Sequence, residues 1–209
     1  MVQNPLVCFA VREESTFFHK SSNVDFLITG MGRDNAFSSV EEYLQTHQPP
    51  FVLTCGFAGA LSPALNLNSI LYSCDDDFPL IPQLMRLGGI QGVFAHSSSV
   101  LTTRQEKKTL LEQSGANVVE MESSVIRELC SAVGIPSAIV RVISDTARED
   151  LPLDFNQFMD SRQNMRMPHL IFHVLTHPAK IPPLMRFGKQ TRQAARELGS
   201  FLNRLLAGS

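Results

Sequence analysis

The sequence predicts an α/β protein built around a largely parallel sheet, and three observations predict it. Short apolar, β-branched runs recur along the first 145 residues, with helical periodicity between several of them. Residues 117–145 read as strand, helix, strand. Asn117 to Met121 and Ser137 to Ile143 are strand-like, Val125, Ile126, Leu129, Cys130 and Val133 share one helical face, and Gly134-Ile135-Pro136 stops the helix. Taken as a βαβ crossover, this unit places Glu122 and Asp145 just past its two strands, at the carboxyl edge of one parallel sheet. Open α/β sheets bind their ligands at that edge.

The earlier elements follow the same logic. Leu6 to Val11 is a buried strand running into Arg12-Glu13-Glu14, which puts Glu14 just past a strand end. Asp25 to Thr29 is a second strand, followed by Gly30-Met31-Gly32-Arg33 and a helix whose stripe is Ala36, Phe37, Val40, Tyr43 and Leu44. Gly30, Gly32 and Arg33 suit an anion-binding loop, or equally a tight strand-to-helix turn. Phe51 to Cys55 is a third strand, and the small residues of Gly56-Phe57-Ala58-Gly59-Ala60 let a ligand come close. Ile70 to Ser73 is a fourth strand, and Asp75-Asp76-Asp77 after it reads as a solvated loop rather than a metal cluster. Gly92 to Ala95 and Ser99 to Leu101 are weaker strands. Thr103-x-x-Glu106 has capping-box form and starts a helix through Gln113. About five strands result.

Beyond Asp145 the pattern turns helical, over Phe155 to Asp160, Pro168 to Leu175 and Gln190 to Leu206, with prolines 178, 182 and 183 dividing the region. His169 and His173, four apart, fit a packed amphipathic helix better than a zinc site.

Composition bounds the function classes. A chain of 209 residues, 44% hydrophobic and 18% charged, makes one globular domain over 1–209 with a helical region at 151–209. Twenty acidic against eighteen basic residues, with no block of like charge, argue against nucleic acid as a partner. The four cysteines lack metal-ligand or disulfide spacing and fit a reducing cytoplasm. No apolar run reaches the ~18 residues of a membrane span, and no leader pattern opens the chain.

Several strand ends therefore carry Glu14, Gly30 and Gly32, Gly56 and Gly59, Glu122 and Asp145. Carboxylates on one cleft floor serve as general acid and base when their surroundings separate their pKa values. Arg141, the one charge in its strand, needs a carboxylate partner if buried. An alternative stands beside this: Glu122 and Asp145 cap turns, and Arg141 forms a structural pair.

Five stretches resemble the purine nucleoside phosphorylase and uridine phosphorylase superfamily, particularly its methylthioadenosine/S-adenosylhomocysteine nucleosidase branch. They are Ala10-Val11-Arg12-Glu13-Glu14, the loop Gly30 to Ala36, the turn Thr54 to Leu61, Val119-Glu120-Met121-Glu122, and Ser144-Asp145 at the end of IPSAIVRVISD. The resemblance covers roughly residues 5 to 150 and implies a three-layer α/β/α fold with a central mixed, largely parallel twisted sheet. It implies that Glu14 activates water, Asp145 beside Ser144 protonates the purine, Glu122 accepts from the ribose hydroxyls, and Met121 packs on the sugar. Phe57 and Gly59 fall in the ribose turn, and Val100 and Leu101 in the segment that faces the base. No metal or organic cofactor is implied, and a homodimer or higher homo-oligomer is.

The departures from the family pattern are specific. Ten residues separate Glu14 from Asp25, where the family places a helix and a further strand. Asn68-Ser69 replaces a Gly-Asp pair, and Ser99-Val100-Leu101-Thr102 lacks the family's aromatic stacker. Ala147 to Pro152, His177-Pro178 and Ile181 to Leu184 look more like the hopanoid-associated phosphorylases, which act on adenosylhopane. The implied reaction is hydrolysis of the N-glycosidic bond of a purine nucleoside, with a 5′-modified adenosine as the expected substrate. Phosphorolysis, with phosphate as co-substrate on Gly30, Gly32 and Arg33, and non-catalytic nucleoside binding are the alternatives.

Overall fold

A computed structural model describes residues 3–19, 21, 23–160, 163 and 165–207. Eight strands form one mixed sheet. They are β1 (Leu6–Phe9), β2 (Asp25–Ile28), β3 (Val52–Ala60), β4 (Ile70–Cys74), β5 (Ile90–Gln91), β6 (Phe94–His96), β7 (Val118–Glu120) and β8 (Ser137–Asp145). The order β2-β1-β3-β8-β4-β5 is completed by β7, which pairs with β3 and with β6. Only β4 against β8 and β7 against β3 run antiparallel.

Residue alternation along the strands builds the layers. Leu6, Cys8 and Val52 point to one face, where they pack with Ala36 and Val40 of α1 (Arg33–Leu44). Val125, Ile126 and Cys130 of α4 (Ser123–Ala132) complete that cluster. Their neighbours Val7, Phe9, Leu53 and Cys55 point to the other face, against Ala194, Leu198, Phe201 and Leu202 of α6 (Ile181–Leu205). The sheet is thus sandwiched between α1 with α4 and α6, in three layers. The other helices are α2 (Ile81–Arg86), α3 (Arg104–Ser114) and α5 (Met167–Thr176). No described helix is long and apolar enough to cross a membrane.

Several local expectations change. Residues 99–101 form no strand, because the side-chain amide of Asn156 holds Val100 through both its N–H and its carbonyl, at 2.9 Å each. Val133 is exposed, since α4 ends at Ala132 and the next residue turns outward as its C-cap. Asp75 is no solvated loop residue: it pairs with Arg127 and accepts from the Ser137 amide at 2.8 Å. Pro182 and Pro183 begin α6 rather than dividing the region there, because the first helical turn has no N–H partner to lose. The capping box of Thr103 and Glu106 is present as expected.

The largest change concerns β7. It runs antiparallel to β3, whereas β8 runs parallel to β3, so β7–α4–β8 is not a parallel crossover. The reason lies in the length of β3. Its nine residues pair along one edge with all of β8, while the opposite edge is shared: β1 covers Val52 to Cys55, and β7 covers Gly59 and Ala60. The carboxyl ends of β1 and β7 therefore approach each other from opposite directions and leave a gap beside Gly56 and Phe57.

Candidate active site

That gap holds a buried charge cluster. The turn after β1 returns Glu14 to the strand end, where its Oε2 accepts from the amides of Ala10 (2.9 Å) and Val11 (3.2 Å). Its Oε1 accepts from the amide of Phe57 at 2.8 Å, an amide that the gap leaves without a strand partner. Burial pushes the Glu14 carboxyl up to about 7, against the pull of Arg141 and of these amides and with a push from Glu122. A Cβ at Gly56 would collide with both the Arg141 guanidinium and the Glu14 carboxylate. The glycine is what allows the two groups to meet across β3.

From the opposite direction, the end of β7 delivers two glutamates with different tasks. Glu120 is the capping group: its Oε2 accepts from the amides of Glu122 (3.0 Å) and Ser123 (2.7 Å) at the start of α4. It also pairs with Arg141 at 2.9 Å. Burial alone would raise its pKa, but His96, Arg141 and Ser123 outweigh that and hold it at about 2. Glu122 makes no capping bond; its Oε1 accepts from the Gly32 amide at 2.9 Å, and its Oε2 lies 3.6 Å from Arg141. Burial raises the Glu122 pKa against the pull of Arg141. Arg141 itself is buried within β8 and also donates to Ser123 Oγ at 2.8 Å.

Asp145 lies at the other end of β8, beside Gly59, where a Cβ would stand 3.1 Å from its Oδ2. Ser144 Oγ donates to Asp145 Oδ1 at 2.8 Å. On its far side Asp145 meets Lys107 of α3, whose buried Nζ lies 2.6 Å from Oδ2. The same ammonium donates to the carbonyls of Thr146 (2.8 Å) and Glu149 (3.1 Å), so each of its three protons has an acceptor. Burial raises the Asp145 pKa, opposed by Lys107 and Ser144. Gly56 and Gly59 are three residues apart on β3, so the Glu14 cluster and Asp145 stand on the order of 10 Å apart along the strand.

The remaining expected residues divide. Phe57 and Met121 are half-buried at the gap. Val100 is half-buried in the segment held by Asn156, while Leu101 packs into the small core with Ala95 and Val119. Gly30 and Gly32 both have left-handed backbone, at φ 86° and 81°, which makes their loop a tight strand-to-helix turn. Its Gly32 amide already serves a carboxylate, and Arg33 is engaged at the surface with Glu128 at 2.8 Å.

Two functional residues escaped the sequence reading. Glu120 sits on a strand next to the more conspicuous Glu122. Lys107 had a usable signal: it lies three and four residues before Leu110 and Leu111, on the apolar side of its helix.

Residues 90–176 match the family model described as the Phosphorylase superfamily, and this stretch holds β7, α4, Arg141 and Asp145. Among curated proteins, the 5′-methylthioadenosine/S-adenosylhomocysteine nucleosidase of Staphylococcus carnosus is 24% identical, over 66% of this chain and 75% of its own. Among solved structures, the futalosine hydrolase of Helicobacter pylori superposes with a TM-score of 0.72 at 18% identity, covering 100% of this chain and 99% of that one. The 5′-methylthioadenosine/S-adenosylhomocysteine nucleosidase of the same organism, crystallised with butyl-thio-DADMe-Immucillin-A, gives 0.72 at 17% with both chains covered completely. The fold shared with these solved structures thus extends through residues 3–89, which the family model does not match.

Proposed function

We propose that this chain hydrolyses the N-glycosidic bond of a purine nucleoside modified at the 5′ position. The observation that carries the reading is the division of buried acids along β3: Glu14 and Glu122 with Arg141 beside Gly56, and Asp145 beside Gly59. Cleavage of such a bond passes through a cationic sugar, so one group must neutralise the departing base while another prepares the nucleophile on the opposite face.

Glu14, held near neutral pH by burial, takes a proton from water. Glu122 accepts from the ribose hydroxyls and supports the positive sugar. Asp145, which burial biases towards its protonated form, donates to the base, with Ser144 and Lys107 fixing its direction. Every step is carried by side chains. The 5′ modification rests on the names of the nucleosidase relatives, together with the resemblance of Ala147 to Pro152, His177-Pro178 and Ile181 to Leu184 to the hopanoid-associated phosphorylases.

The phosphorolytic alternative is disfavoured by the loop expected to bind phosphate. Glu122 occupies the Gly32 amide, Arg33 faces Glu128, and Glu14 would repel the anion. The test is adenine release from a panel of 5′-substituted nucleosides in phosphate-free buffer. Free sugar as product is expected; strict phosphate dependence with a sugar phosphate product overturns the assignment, and tight binding without turnover makes the chain a nucleoside-binding protein.

A further inference from the structure

The region after the active site turns an unusual surface to solvent. None of the ten residues of α5 is buried. Met167, Ile171 and Leu175 recur every four residues along it, and with Phe172, three before Leu175, they form one broad outward face, with Phe172 69% and Leu175 73% exposed. The opposite side of the helix is the one that packs, with the His173 ring 5.2 Å from that of Phe158. At the start of α6, Ile181 and Met185 are exposed apolar residues as well.

The charge of this stretch of sequence is one-sided. Residues 161–196 contain seven of the eighteen basic residues and none of the twenty acidic ones, leaving eleven basic against twenty acidic in the rest of the chain. The cations are spread too widely to read as a block. On α6, Lys189 and Arg192 lie four and seven residues after Met185, on the same side of the helix, and both are exposed.

We propose that α5 and the first turns of α6 form a docking surface for an anionic lipid bilayer. Exposed Phe, Leu, Ile and Met insert at the headgroup boundary while neighbouring Lys and Arg neutralise lipid phosphates, a combination that holds a helix in the plane of a membrane without spanning it. A second copy of the chain fits less well. A two-fold interface on this stripe would set a net-cationic segment against its own image. A polyanion such as nucleic acid would leave Phe172 and Leu175 without an apolar partner.

The proposal is independent of the nucleosidase reading and is tested by co-sedimentation of the whole chain with vesicles. Binding is expected to phosphatidylcholine vesicles containing phosphatidylglycerol and not to phosphatidylcholine alone. Phe172→Ser with Leu175→Ser should lower partitioning by ~10-fold or more. Lys189→Glu and Arg192→Glu should each lower it by at least ~5-fold, and added salt should do likewise. Circular dichroism and thermal melting of the variants check that they are folded. A wild-type chain that stays in the supernatant with both vesicles overturns the proposal. So does a dimer that the Phe172→Ser, Leu175→Ser variant dissociates, which would assign the stripe to a second copy.

Discussion

Two buried charge groups flank the same strand, and they are built on opposite principles. Beside Gly56, three carboxylates from Glu14, Glu120 and Glu122 share one guanidinium from Arg141, so negative charge is in excess. Beside Gly59, one carboxylate from Asp145 faces one ammonium from Lys107, and the charges match. In the first group burial, with a smaller push from Glu122, raises Glu14 to about 7, while Glu120 is held at about 2, so Glu14 is the member suited to accept a proton. In the second group the partner's work is mainly orientation: Lys107 ties the carboxylate to Thr146 and Glu149 through its other two protons.

The comparison breaks most severely at Arg141. Arg141→Met leaves the carboxylates buried without their cation and should destabilise the fold by about 3–5 kcal/mol, read as a fall in urea midpoint. A loss below about 1 kcal/mol would mean that the cluster is not the buried assembly described here. Asp145→Asn comes next: turnover should fall ~100-fold or more with nucleoside binding retained. Near-normal turnover with a lowered melting temperature would instead make Asp145 a structural partner of Lys107.

Glu122→Gln should reduce discrimination against the 2′-deoxy substrate. A buried carboxylate that loses a hydroxyl partner costs ~1–3 kcal/mol, and a neutral amide makes the weaker bond in the first place. The measurement is kcat/KM for ribo and 2′-deoxy substrates in wild type and variant; equal preference in both removes Glu122 from the sugar.

The smallest effect, and the sharpest contrast within the cluster, is with pH. On the proposed reading Glu14 is a base when ionised, so kcat/KM should rise as pH increases through about 7, and Glu14→Gln should abolish that rise. Its effect on stability has the opposite sign. A carboxyl raised in the fold contributes stability below its ordinary 4.5, and that contribution is lost as pH rises through about 7. Glu120, lowered to about 2, contributes stability above 4.5 that is lost as pH falls towards 2. Melting temperatures of Glu14→Gln and wild type between pH 4.5 and 7 check the first sign: the variant should show the flatter profile.

Much of this was legible in residue patterns, and what was not has a physical cause. Glu14, Glu122 and Asp145 were visible because each follows an apolar strand, and β-branched runs mark strands whatever their direction. Direction itself is not local information. Val118 to Glu120 carries no sign that it will lie antiparallel along the second half of a nine-residue β3. The geometry of meeting strand ends was therefore hidden, although its members were not. Glu120 looked like the helix-flanking twin of Glu122, and the choice between them depends on which carboxylate reaches the first amides of α4. Asp75 was misread because its partners, Arg127 and Ser137, lie more than fifty residues away.

The shared edge of β3 also has a consequence for how the chain reaches this structure. Glu14 arrives early during synthesis, whereas Glu120, Glu122 and Arg141 emerge more than a hundred residues later, so closing the cluster joins distant parts of the chain. Such closures are entropically costly and slow, and a Glu14 packed against β3 before its guanidinium arrives would be an uncompensated buried acid. Protonation relieves that intermediate. Refolding should therefore run faster in mildly acidic buffer than at alkaline pH, an order that links the titration of one glutamate to the timing of assembly.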